Sequence, residues 1–129
     1  GDCQPYIAVA LGLQDAGYQV LILTGENHTS FCAEFGIPMV PCFTDAEEVL
    51  RQGKGLEAMC KGDVPTFVEV LTEQTKLNAE RFVTEWSAGI KAFGPDLHIT
   101  GSLSEYFGTM SNNVLKIPSF VVKLQCIVL

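Results

Sequence analysis

An apolar helical segment that runs through a glycine into a second apolar run constrains the fold of this chain most. Pro5 suits the first position of a helix, where its missing N–H costs nothing, and residues 6–16 are apolar on nearly every face. Gly17 is placed to end this helix in the left-handed conformation, and residues 18–24 show no polar alternation. Such a run is typical of a parallel strand covered on both faces. Together these segments predict the second half of a β-α-β unit, whose opening loop lies at the carboxyl edge of the sheet.

The composition excludes several classes of function. The 129 residues form one domain at most, and the formal net charge of −7 argues against a nucleic-acid backbone as partner. No apolar run approaches the roughly 18 residues of a membrane span, and no signal segment opens the chain. The five cysteines include no Cys-x-x-Cys pair, which indicates reduced thiols in a cytosolic protein. His28 and His98 lack the spacing of zinc ligands, so we expect no metal site.

The rest of the chain alternates between helical and strand patterns. Short helices are predicted at residues 30–35 and 45–52, and a long helix at 64–93. Strands are predicted at residues 19–24, 39–40, 97–100 and 119–122, the last of them buried. Because strands and helices alternate, we predict an α/β fold with a Rossmann-like parallel sheet and helices on both of its faces.

The long predicted helix carries an apolar stripe that has two interpretations. Its members follow helical spacing: Phe67, Leu71, Phe82, Trp86, Ile90 and Phe93. Large aromatic side chains at this spacing are most often core residues, and core packing is the prediction here. The alternative is that the stripe lines a pocket for an acceptor substrate.

Two short polar motifs have structural explanations. Lys54 lies between Gly53 and Gly55, but the spacing of a phosphate-binding loop is absent, so a flexible connector is predicted. Ser102 and Glu105 fit a capping box at the start of a helix. The Gly-x-Ser-x-Gly pattern of a nucleophile elbow does not occur at this serine.

The opening six residues, Gly-Asp-Cys-Gln-Pro-Tyr, resemble the Gly-Asp-Val-Gln-Pro-Tyr segment of one enzyme family. It opens the first domain of sterol 3-β-glucosyltransferases and related family 28 glycosyltransferases, members of the UDP-glycosyltransferase superfamily. The resemblance continues through residues 8–17, 24–27 and 35–37, and returns at 95–97, 101–102 and 117–118. It is vaguest over residues 45–63. Cys3 replaces the more usual valine, and the usual Gly-Ser-Arg before the motif is absent.

The resemblance implies the GT-B arrangement, in which two Rossmann-like domains flank a cleft. Residues 1–129 would be part of the acceptor-side domain, without its first strand and without the His- and Gly-rich donor motif of the second domain. The implied reaction transfers a hexose from a UDP-sugar, UDP-glucose by resemblance, to a sterol or another lipid-like alcohol. It needs no cofactor and no metal. The implied enzyme is cytoplasmic with peripheral membrane contact, and we expect the fragment alone to be inactive.

Asp2 is the candidate catalytic residue. An inverting sugar transfer needs a general base for the acceptor hydroxyl, and Asp2 matches the family's candidate base. The alternative is that Asp2 only interacts with the N-terminus of the first helix. The candidate substrate-binding residues are Gly1, Gln4, Glu26, Asn27, Gly101 and Ser102. Glu26, Asn27 and Ser102 each have a capping or turn explanation as well.

A different class of function stays open beside the enzyme. The chain could be a non-catalytic module with a Rossmann-like fold that binds a nucleotide or another protein. The absence of Gly-x-Gly-x-x-Gly argues against a dinucleotide ligand for such a module.

Overall fold

The opening helix, α1, spans Cys3–Asp15 and begins two residues before the proline that was expected to start it. The structure is a computed structural model that describes residues 3–43, 45–51 and 53–123. Gly17 adopts a φ of 87°, and its N–H donates to the carbonyl of Gln14 at 2.9 Å. The N–H of Tyr18 donates to the carbonyl of Leu13 at 3.0 Å, which completes a Schellman motif. The predicted helix stop at Gly17 is confirmed.

The chain divides into two compact units, and each contains its own pair of strands. The first unit ends at Gly89 and the second begins at Ile90. After α1 come β1 (Ile22–Gly25), a 3₁₀ turn (Glu26–His28), α2 (Thr29–Glu34), β2 (Met39–Phe43), α3 (Ala46–Arg51), α4 (Lys54–Lys61) and α5 (Val64–Phe93). The next elements are β3 (His98–Gly101), a 3₁₀ turn (Ser102–Ser104), α6 (Glu105–Met110), a π-helical turn (Ser111–Leu115) and β4 (Ser119–Val122).

The strand pairs confirm a mixed α/β chain with parallel strands. β1 pairs with β2 in parallel, and β3 pairs with β4 in parallel with His98 opposite Ser119. Parallel neighbours need a crossover connection, and α2 supplies it in the first unit while α6 supplies it in the second. The described strands form two sheets of two strands each. A single Rossmann-like sheet with helices on both faces therefore stays a prediction.

The core of the first unit forms where α1 and α2 meet the sheet. Ile7 and Ala10 of α1 are buried together with Cys32 of α2 and Ile37, and Ile22 and Met39 pack against them. The α1 side chains thus cover one face of β1 and β2. Burying these apolar groups supplies the main driving force for this packing.

The predicted burial of the last strand is wrong. Phe120 in β4 is 64% exposed, although residues 119–122 form a strand as expected. Side chains of a strand point to the two faces of its sheet, so the face that carries Phe120 is largely uncovered by the described residues. The apolar stripe of α5 is likewise only partly core. Trp86 and Ile90 are buried, whereas Leu71 and Phe93 are exposed.

The flexible connector predicted at residues 53–55 is also wrong, because Lys54 begins helix α4. Gly55 is buried inside that helix, where a Cβ would lie 3.2 Å from Leu50 Cδ2 and 3.4 Å from Val70 Cγ1. The glycine lets α4 approach its neighbours closely. The two glycines beside Lys54 had indicated a flexible connector and gave no sign of this packing.

None of the helices within residues 3–43, 45–51 and 53–123 has the length and apolar character needed to cross a membrane.

Gly108 and Gly12 provide a matched test of the packing. A Cβ at Gly108 in α6 would lie 3.0 Å from Thr100 Oγ1 and 3.3 Å from Thr100 Cγ2. Thr100 is buried and β-branched, so it cannot move aside easily. We expect Gly108→Ala to lower the free energy of unfolding by about 1–3 kcal/mol, the usual cost of overpacking. The measurement is urea unfolding followed by far-UV circular dichroism.

Gly12→Ala is the control. No heavy atom lies within 4 Å of a Cβ at this position in α1. The substitution should raise the free energy of unfolding by about 0.5–1 kcal/mol through helix propensity. Equal effects of the two substitutions would contradict the contact between α6 and Thr100.

Candidate functional site

The predicted site residues fall into three groups. Gly1 and Asp2 lie outside the described residues. Gln4 is exposed on the first turn of α1. Glu26 and Asn27 follow β1 in the first unit, while Gly101 and Ser102 lie at the end of β3 in the second.

The polar segment after β1 is held by hydrogen bonds of its own. Thr24 Oγ1 shares a hydrogen bond of 3.2 Å with His28 Nδ1. The Thr29 hydroxyl donates to the carbonyl of Glu26 at 2.7 Å. These bonds fix the 3₁₀ turn at the carboxyl end of β1 and leave the side chains of Glu26 and Asn27 for other contacts.

Asn27 carries a polar atom that the fold does not satisfy. Its Oδ1 is buried and has no hydrogen-bond donor among the described residues. A buried acceptor without a donor costs roughly 1–3 kcal/mol, so it needs a physical explanation, and a bound ligand is one such explanation. A hydroxyl or N–H group of a ligand would satisfy this amide oxygen.

An ion pair on α5 lies beside the same segment. Arg81 Nε donates to Glu85 Oε1 at 2.6 Å, and the second carboxylate oxygen, Glu85 Oε2, is buried with no donor in the described ranges. The hydrogen bond to Glu85 and the charges of Glu85 and Glu26 raise the pKa of Arg81, so all three charged groups are electrostatic neighbours. The carboxyl end of β1 thus has two buried oxygen acceptors and one guanidinium nearby.

Cys42 adds a neutral thiol to this edge. β1 and β2 change register after Thr24, which pairs with Pro41, whereas Gly25 pairs with Phe43. Cys42 is therefore the extra residue of a β-bulge, a feature that often occurs beside active sites. Its side chain is fully buried, and burial together with the nearby charge of Glu85 raises the pKa of the thiol to about 12.

In the second unit, the predicted capping box is wrong. Ser102 and Glu105 do not form it; instead Ser104 Oγ accepts from the Gly101 N–H at 3.1 Å. The chain turns through a 3₁₀ turn before α6, so the cap moves two residues along. The Gly101 N–H is thus engaged internally and Ser102 is exposed. The adjacent Thr100 Oγ1 is buried and has no partner among the residues described.

His98 lies at the opposite end of β3 from Gly101. Its Nδ1 shares a hydrogen bond of 2.6 Å with Ser111 Oγ, and burial lowers the pKa of the imidazole. The ring is therefore neutral near pH 7 and links the start of β3 to the π-helical turn.

A groove of about 520 Å³ beside α4 includes Lys54. Glu69 and Glu73 line the same groove. Two carboxylates beside one ammonium disfavour a phosphate group, since like charges repel. The structure gives no support to a phosphate site at Lys54.

The residues at the carboxyl end of β1 form the polar edge of the first unit: Glu26, Asn27, Cys42, Arg81 and Glu85. The sequence analysis did not predict the last three of these as site residues. The charged pair has the i, i+4 spacing of an ordinary exposed helix pair, so nothing in the sequence sets it apart. Cys42 did have a signal, because a proline inside a strand indicates a bulge.

Cys42 predicts a specific loss of stability at alkaline pH. The unfolded thiol titrates near 9.0, whereas the folded one stays protonated to about pH 12. Between these values the unfolded state binds fewer protons, so the free energy of unfolding falls as pH rises. From pH 9 to 10.5 we expect a fall of about 1.6 kcal/mol that Cys42→Ala lacks. The measurement is urea unfolding at each pH, with Cys60→Ala, at an exposed position, as the control. Equal pH slopes in wild type and Cys42→Ala would contradict the burial effect.

The edge after β1 can accept hydrogen bonds from a ligand through Asn27 and Glu85 and can offer the positive charge of Arg81. Comparison with protein-family models, curated proteins and solved structures found no match for this chain.

Proposed function

We propose that this chain is the acceptor-side domain of a UDP-sugar-dependent glycosyltransferase of the GT-B class. It would bind a sterol or another lipid-like alcohol, to which a hexose is transferred with inversion. The opening Gly-Asp-Cys-Gln-Pro-Tyr motif supports this family. The parallel strand pairs and their polar carboxyl edge are compatible with it.

The strand pairing supports the proposal that this chain has a Rossmann-like sheet. In a doubly wound sheet of order 3-2-1-4-5, the second strand pairs with the third and the fourth with the fifth. β1 with β2, and β3 with β4, have these pairings when the strand expected before α1 is counted as the first.

The observation that carries the proposal is the pair of unsatisfied oxygens at the edge after β1. Asn27 Oδ1 and Glu85 Oε2 are both buried acceptors, and the single O–H of a bound alcohol can donate to one of them before a base takes its proton. Ligands of open α/β sheets bind at the carboxyl ends of the strands, where Asn27 lies. Glu26 and Arg81 add charge near this position.

The remaining roles follow from the resemblance. Asp2 would be the general base that takes the proton of the acceptor hydroxyl, and the resemblance assigns substrate binding to Gly1, Gln4, Gly101 and Ser102. The donor, UDP-glucose by resemblance, would be held by a second domain, without a cofactor or metal. The enzyme would act in the cytoplasm with peripheral membrane contact.

A non-catalytic interaction module is the second candidate, and one observation favours it. The first half of α5 exposes Val64, Val68 and Leu71, which share one helix face, and Leu77 is 72% exposed. Exposed apolar groups of this kind often mark a protein interface. For this candidate, light scattering would detect an assembly, and no alcohol would bind at Asn27.

The first test measures acceptor binding to the chain. Trp86 is the single tryptophan and follows Glu85 in α5, so its fluorescence is the signal to follow. Cholesterol delivered on methyl-β-cyclodextrin should bind, and Asn27→Ala should weaken the Kd about 3–10-fold, since one net hydrogen bond is lost.

Asn112→Ala, at an exposed position of the π-helical turn, is the matched control and should leave the Kd unchanged. Empty cyclodextrin corrects for direct effects of the carrier. Unaltered affinity in Asn27→Ala, or no sterol binding by the wild-type chain, would contradict the proposed acceptor role.

The second test concerns Asp2 in the full enzyme. Asp2→Asn keeps the shape and removes the proton acceptor, so kcat should fall by about 10²–10⁴-fold while the acceptor Kd changes little. Asp15→Asn, at an exposed position that ends α1, is the control. If Asp2 only supports the helix start, the rate stays within about threefold of wild type, because Asn caps nearly as well.

A further inference from the structure

Two cysteines of the first unit lie against each other in its core. Cys3 is the first residue of α1 and is half-buried, whereas Cys32 in α2 is fully buried. Cys3 packs against the apolar cluster that Cys32 shares with Ile7, Ala10 and Ile37. The Cys32 thiol is also near enough to influence the pKa of the Cys3 thiol. A disulfide requires its two cysteines to be close neighbours in the fold.

The other described cysteines have different surroundings. Cys42 lies in the bulge beside Glu85, and Cys60 is exposed on α4. The fold therefore brings together Cys3 and Cys32, which are 29 positions apart in the sequence. The two thiols connect the start of α1 with the helix that follows Glu26 and Asn27.

We propose that Cys3 and Cys32 are a redox-active thiol pair that forms a reversible disulfide between α1 and α2. The bond would fix the first turn of α1 to α2. The pairing itself is independent of the glycosyltransferase proposal. Its effect on acceptor binding, through the segment that holds Asn27, rests on that proposal.

Glutathione disulfide is a sufficient oxidant. The Cys3 thiol, the more accessible of the two, loses its proton and attacks one sulfur of glutathione disulfide; the S–S bond breaks and one glutathione leaves as a thiolate that takes up a proton. The Cys32 thiolate then attacks the Cys3 sulfur of the mixed disulfide and releases the second glutathione. Two protein thiols are oxidised, and one glutathione disulfide is reduced to two glutathione molecules.

The surroundings make this reaction slow at neutral pH. Burial raises the pKa of both thiols, and the nearby Cys32 raises that of Cys3 further. The thiolate is the attacking species, so the rate should rise about tenfold for each pH unit while both thiols remain mostly protonated. In the reduced chain the pair is a stable apolar contact.

The test treats the native full chain with glutathione disulfide at pH 8 and maps peptides by mass spectrometry without reduction. We expect a peptide that joins Cys3 to Cys32 as the main internal crosslink. It should form equally in Cys60→Ser, disappear in Cys3→Ser and disappear from wild type on treatment with dithiothreitol. The oxidised chain should also melt at a higher temperature than the reduced chain, because the crosslink restricts the unfolded state.

Oxidation of the unfolded chain in urea is the control, because it shows which crosslinks form without the fold. There the crosslinks should be distributed among all five cysteines. Native crosslinks that instead join Cys3 or Cys32 to Cys42, Cys60 or Cys126 would overturn the proposal. So would complete alkylation of Cys3 and Cys32 after oxidation. Wild-type peptide mapping decides the question even when Cys3→Ser folds poorly. A crosslink without any change in cholesterol binding would refute only the regulatory link.

Discussion

The parallel pairing of β1 with β2 is the constraint on which the polar edge of the first unit depends. Parallel neighbours bring their carboxyl ends to the same edge, so the segment after β1 lies beside the bulge at Cys42. Gly89 lets α5 approach this sheet, since a Cβ there would lie only 2.7 Å from Leu23 Cδ2. Glu85 lies one turn before Gly89 on the same helix face, and Arg81 donates to Glu85 from one turn earlier still.

The charges at the carboxyl end of β1 favour a ligand that binds through hydrogen bonds and disfavour a nucleophilic role for the Cys42 thiol. The charge of Glu85 and the burial of Cys42 keep that thiol protonated, and Arg81 balances Glu85 with a direct hydrogen bond. The buried oxygens of Asn27 and Glu85 are left as acceptors. Such an environment suits a ligand with hydroxyl groups; in the proposed reaction Asp2 would take the proton.

Local signals in the sequence predicted much of the fold, and long-range packing accounts for most of the errors. Gly17 ends α1 as expected, and α5 has the predicted bounds of Val64–Phe93, because caps and apolar periodicity act within a few residues. Helix α4 was missed, since Gly55 packs against Leu50 and Val70, which belong to the neighbouring helices α3 and α5. Among the site residues, Glu26 and Asn27 could be predicted because they directly follow a strand. Arg81 and Glu85 could not, because they belong to a helix more than fifty positions later.

The central claim is that Asn27, at the carboxyl edge of the β1 and β2 pair, receives the hydroxyl group of a lipid-like alcohol. The most direct measurement is an NMR titration of the isotope-labelled chain with cholesterol on methyl-β-cyclodextrin, following backbone and side-chain amide signals. The account predicts that the Asn27 side-chain amide and the backbone amides of Gly25 and Glu26 shift together at one Kd. The side-chain amide of Asn112, which is exposed in the second unit, should stay unchanged. Shifts confined to other residues, or no shifts at saturating sterol, would contradict the claim.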